Sequence, residues 1–142
     1  MAGRLSHPES QGENAARCYA APVLSLLPEV ALGFIIALPA HEAGHALAAR
    51  LLGARDVQLS RSGRFGARVA ATFPDDARGR RALFLAAGAL GNVAVAATAL
   101  LLPAAAHAPV LAGIQVLFAA LTLVPAGDTD GARLLSLLGE RR

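Results

Sequence analysis

The sequence predicts an all-α membrane protein, with three transmembrane helices and a small cytoplasmic β-hairpin between the first and second. Composition is the first observation: 55% of the 142 residues are hydrophobic and 16% charged, against about 25% charged in ordinary soluble domains. The second is that the apolar residues, mostly Ala, Leu and Val, gather in three long runs. The third is that one Arg-rich segment, with a different residue pattern, separates the first two runs.

The elements follow in order. Residues 1–18 are polar and contain Pro and Gly, and read as a flexible tail ahead of a core over 19–133. No cleavable signal is expected, because residues 1–19 are polar and the apolar stretch after them runs on into HEAGH. Pro28 followed by Glu29 has the form of a helix start, with proline in the first turn and an acid near the positive end of the dipole. A helix over about 28–52 would be roughly 37 Å long, enough to span. Pro39 is expected to kink it. Residues 54–80 contain Gly63, Gly66 and the turn signal Pro74-Asp75-Asp76, and residues 56–60 and 67–73 tolerate strand geometry, so a hairpin is expected there. The second helix is expected over 82–103. The third is expected over 108–125, near the lower length limit for a span and closed by Pro125. A short basic tail over 134–142 completes the chain.

All 13 basic residues are arginine. Arg55, Arg61, Arg64, Arg68, Arg78, Arg80 and Arg81 lie between helices one and two, and none lies between helices two and three. The positive-inside rule therefore puts the first loop and the C-terminus in the cytoplasm and the N-terminus outside, against the weaker opposing weight of Arg4 and Arg17. Aromatic residues make up only 4% of the chain and are not interleaved with the arginines. The stacking residues of a nucleic-acid surface are thus missing, and no nucleic-acid partner is expected. Cys18 is the only cysteine, which excludes an intrachain disulfide.

The chemistry sits in His41-Glu42-Ala43-Gly44-His45. On a helix, residues i and i+4 share a face, so both imidazoles can reach one tetrahedral zinc. Glu42 lies about 100° around the helix from His41, near the metal without having to ligate it. There it can take a proton from a water that zinc has made acidic. Each ionisable group within a bilayer costs about 2.5–3.5 kcal/mol on insertion scales, so two histidines and a glutamate in an apolar run point to function. A third ligand is needed. Glu29 is about three turns away on the same helix, while Asp128 and Asp130 follow the third run on the side where HEAGH lies. Depth alone leaves these two aspartates open.

Taken together, these segments resemble the site-2 protease family of intramembrane metalloproteases. That family pairs an H-E-x-x-H helix with a later N-x-x-P-x-x-x-x-D-G segment, matched here by Thr122-Leu123-Val124-Pro125-Ala126-Gly127-Asp128-Thr129-Asp130-Gly131. Its G-P-x-x-N element is matched by Gly88-Ala89-Leu90-Gly91-Asn92. The similarity covers about residues 28–133; Ala89 stands where the family has Pro, and Thr122 where it often has Asn. The resemblance implies one Zn²⁺ per chain held by His41, His45 and Asp130, with Glu42 as general base. It implies a role for Asn92 at the substrate backbone or oxyanion, and a hairpin that holds substrate extended. It also implies a transmembrane protein substrate cut within or near its membrane segment, and an integral location in a bacterial cell membrane in contact with lipid. Two other readings are an inactive relative that binds membrane segments without cutting them, and a soluble zinc protease with a very apolar core. The second would take a downstream His or Glu as third ligand, and none stands at a suitable spacing.

Overall fold

The computed structural model describes residues 9–62, 66–74, 78–102 and 107–139. Four helices and one hairpin are present among them, in the order α1 (Glu9–Leu51), β1 (Asp56–Ser62), β2 (Gly66–Thr72), α2 (Arg78–Leu101), α3 (Ala108–Leu123) and α4 (Asp130–Gly139). The hairpin sits between the first two helices, as expected. β1 and β2 pair antiparallel with Leu59 opposite Val69 and Arg61 opposite Ala67.

Two boundaries differ from expectation. α1 is one unbroken 43-residue helix through both Pro28 and Pro39 and begins at Glu9, within the segment read as a flexible tail. Residues 9–21 are rich in Ala, Glu, Gln and Arg, which are good helix formers, so the helix propagates past the Pro28 signal. Residues 1–8 lie outside the described residues. At the other end, most of the expected basic tail is α4, an amphipathic helix that buries Leu137 and leaves Leu135 and Leu138 exposed. Residues 140–142 lie outside the described residues.

Two helices are long and apolar enough to cross a membrane, Leu26–Leu51 and Arg78–Leu101. The third run forms a 16-residue helix, Ala108–Leu123. At 1.5 Å per residue it is about 24 Å long, short of a hydrocarbon core of about 30 Å.

The bundle is packed with small residues inside and large ones outside. Ala37, Ala87, Ala89, Ala96, Ala112 and Ala119 are buried, while Phe34, Ile35, Leu47, Leu90, Leu100 and Leu117 are exposed. Glycine brings α1 and α2 together: a Cβ on Gly44 would strike the Ala87 carbonyl, and one on Gly91 the Ala40 carbonyl. Such backbone contact is how helices associate when no apolar–aqueous contrast drives them. α3 is fastened to α1 by the fully buried Gln115, whose Nε2 donates to the Gly33 carbonyl at 3.0 Å. At the far end of the bundle, His107 Nδ1 lies 2.6 Å from Glu29 Oε1, joining the start of α3 to α1.

Candidate metal centre

α1 carries His41 and His45 on the face turned toward α2, and both are buried. Their Nε2 atoms are 3.2 Å apart. His45 Nδ1–H donates to the Phe84 carbonyl at 2.7 Å, which fixes that proton on Nδ1 and leaves the Nε2 lone pair free to bind a cation. The Phe84 ring also packs on His45, with centroids 4.8 Å apart, and Phe118 of α3 meets the His41 ring edge-on at 5.9 Å.

The third group comes from the start of α4. Asp130 Oδ2 lies 2.9 Å from His41 Nε2 and 3.0 Å from His45 Nε2. The corner from α3 to α4 puts it there. Gly127 takes a left-handed conformation at φ +56°, which glycine adopts without strain. Thr129 Oγ1 accepts from the Ala132 N–H at 3.3 Å and so caps the first turn of α4. Gly131 lets α4 seat against the end of α3, because a Cβ there would overlap the Leu123 carbonyl. Asp128 also borders the cavity but is not one of the three grouped ligands: its side chain is 92% exposed and 3.8 Å from Arg133. Burial alone would raise the pKa of the Asp130 carboxyl, but hydrogen bonding to His41 and His45 outweighs it and holds the group well below the usual carboxylate range. It is ionised at neutral pH, the form that binds a cation.

His41, His45 and Asp130 can together hold a metal ion. Their three ligand atoms form a triangle with sides of 2.9, 3.0 and 3.2 Å. A tetrahedral ion with bonds of about 2.0–2.2 Å separates its ligand atoms by about 3.3–3.6 Å, so the residues fit such an ion with an outward adjustment of a few tenths of an ångström.

Glu42 faces the same cavity of about 180 Å³ as the triad, together with Arg68, Val69, Phe84, Phe118 and Thr122. Its Oε2 accepts from the Val69 N–H at 2.6 Å. Since the Thr72 carbonyl accepts from the Arg55 N–H on the β1 side, residues alternate, and Ala67, Val69 and Ala71 turn their N–H and C=O groups toward the cavity. β2 therefore presents an edge beside the triad that no other strand among the described residues pairs, with its Val69 N–H held by Glu42. Asn92 is not a wall of this cavity. It is fully buried on α2, one turn beyond Gly88, and neither side-chain polar atom has a partner among the described residues.

Gly88, to which the sequence assigns no role beyond its place in the Gly88–Asn92 element, stands against both imidazoles. A Cβ there would stand 2.5 Å from both His41 Cε1 and His45 Nε2. The absent side chain is what leaves room for two imidazoles over the α2 backbone; a glycine four residues before a buried Asn was the only signal for it. Gly88→Val is expected to displace both rings and lower metal affinity by at least the roughly 10–100-fold that follows loss of a supporting contact. Metal titration checks this, with helical circular dichroism retained as the control for folding.

No family model, curated protein or solved structure matches this chain.

Proposed function

We propose that the chain is an intramembrane zinc metalloprotease of the site-2 protease type, hydrolysing a peptide bond within or near the membrane segment of a transmembrane protein. The observation that carries this reading is the meeting of His41, His45 and Asp130 in one cavity with Glu42 and the β2 edge. Two histidines and a carboxylate form a zinc donor set that leaves a fourth position open. The membrane reading draws on the exposed faces of the two long helices: only 17% of the apolar window of α1 and 33% of that of α2 are buried by the chain itself. Under the positive-inside rule the Arg-rich hairpin segment supports a site near the cytoplasmic face and an N-terminus outside. Lipid is the expected partner of the outer surface.

Zinc held by His41, His45 and Asp130 would supply Lewis acidity at the open position. Glu42 is placed to take a proton from a water there as the water oxygen bonds to the scissile carbonyl carbon. It then passes the proton to the departing nitrogen as the C–N bond breaks. The β2 edge holds the substrate extended by main-chain hydrogen bonds, which a helical substrate cannot offer. Phe84 and Phe118 hold the imidazoles and narrow the space beside them.

The full chain, purified in detergent with zinc and mixed with a single-pass membrane substrate, should cleave it. A chelator should stop cleavage and added zinc should restore it. Stoichiometric zinc without cleavage of any of a panel of membrane segments would instead favour a binding protein, and absence of bound metal would sink the reading.

A further inference from the structure

A second groove, of about 550 Å³, runs between α1 and the hairpin. Ala43 and Ala46 form its floor and Val57 and Leu59 of β1 its roof, while Arg50 closes the end remote from the metal cavity. Leu38, Glu42, Ala67 and Val69 line both spaces, so the groove is continuous with the candidate catalytic cavity through Glu42 and the β2 edge. Its chemistry differs from that of the cavity: apart from Glu42 at one end and Arg50 at the other, its walls are aliphatic. Leu59 is 72% exposed and Val57 40% among the described residues. Arg50 is exposed and makes no ion pair among the described residues.

We propose that this groove holds one flank of the bound peptide and sets its sequence preference. It takes large apolar side chains next to the scissile bond and an acidic side chain about four residues beyond it, at Arg50. The spacing follows from geometry. Glu42 and Arg50 are two helical turns apart, about 12 Å. A strand added to the β2 edge advances about 3.3 Å per residue, so about four residues cover the distance. Small residues on the floor leave the volume for apolar side chains. The unpaired guanidinium supplies the charge complement at the far end. The inference rests on the proteolytic reading above for the meaning of "scissile", but the site itself is a binding site and is testable as one.

The test uses the full chain in detergent and synthetic apolar peptides carrying a benzophenone, with a single Asp walked along both flanks of the benzophenone. Binding is read by fluorescence polarisation, and position by crosslinking to the cavity. At one spacing of about three to five residues, Asp should tighten binding about fivefold, the upper range for an exposed ion pair. Arg50→Gln should remove that preference, and Arg50→Glu should transfer it to a peptide with Lys at the same position. Ala46→Phe should weaken Leu-bearing peptides more than Ala-bearing ones. If Asp gives no positional optimum, or Arg50→Glu shifts every peptide alike, the groove assignment is overturned. Parallel cleavage assays separate the two ideas. A positional optimum without cleavage leaves the groove and removes the protease; cleavage without an optimum does the reverse.

Discussion

Asp130→Ala should strip the centre of its metal, lowering affinity by more than about 100-fold, because loss of a ligand exceeds the roughly 10–100-fold cost of losing a ligand's support. Asp128→Ala should leave the metal in place. The two residues are close in sequence and identical in type, yet Asp130 Oδ2 lies within 3.0 Å of both imidazoles, while the Asp128 side chain is 92% exposed. Removing Asp130 deletes the negative charge that offsets part of a divalent cation in a site of low dielectric. Removing Asp128 deletes a surface contact to Arg133, worth at most about 1 kcal/mol. Zinc stoichiometry after dialysis against a weak chelator measures both. Retention of metal by Asp130→Ala, or its loss from Asp128→Ala, would contradict the ligand set.

Glu42→Gln should behave in the opposite manner. It should keep full metal while cleavage falls by about 10²–10⁴-fold, the usual worth of a positioned general base. Glutamine is nearly isosteric, and its carbonyl oxygen can still accept from the Val69 N–H that now holds Glu42 at 2.6 Å. The fold around the hairpin should therefore be kept, and only the proton-accepting oxygen is lost. Single-turnover cleavage with parallel metal analysis checks the result. Loss of zinc together with activity would make Glu42 a ligand instead of a base.

The parts of the molecule readable in sequence were those fixed by local periodicity. The i, i+4 spacing of His41 and His45 puts them on one helical face whatever surrounds them, and the apolar runs 82–103 and 108–125 became α2 and α3 with small shifts at their ends. The hairpin was legible from its turn residues and its break in apolar content. What escaped depends on contacts between distant segments. The start of α1 at Glu9 was hidden because Pro28 resembles a first-turn proline, whereas α1 runs straight through it. α4 was lost in what reads as a short basic tail, and its helix packs on α2 and α3. The Asp130-Gly131 pair says nothing by itself of where the chain turns. The turn is made by Gly127 at φ +56°, and Gly131 serves the close approach to Leu123. The hydrogen bond from Val69 to Glu42 joins residues 27 apart in sequence, and no spacing rule announces it.

The glycine contacts have a mechanical consequence. His41 and His45 stand on a helix locked backbone to backbone against α2 at Gly44 and Gly91, and Asp130 stands on a helix locked the same way at Gly131. The three candidate metal ligands thus stand on helices that approach one another closely at glycines, where any larger residue would meet a backbone carbonyl. Among the described residues the hairpin is attached differently, by side-chain hydrogen bonding of Glu42 to Val69 and of Arg68 to the Asp128 carbonyl and by aliphatic contact across an open groove. The cavity is thus walled on one side by helices seated backbone to backbone and on the other by Ala67, Arg68 and Val69 of the hairpin, a side without glycine contacts of this kind among the described residues.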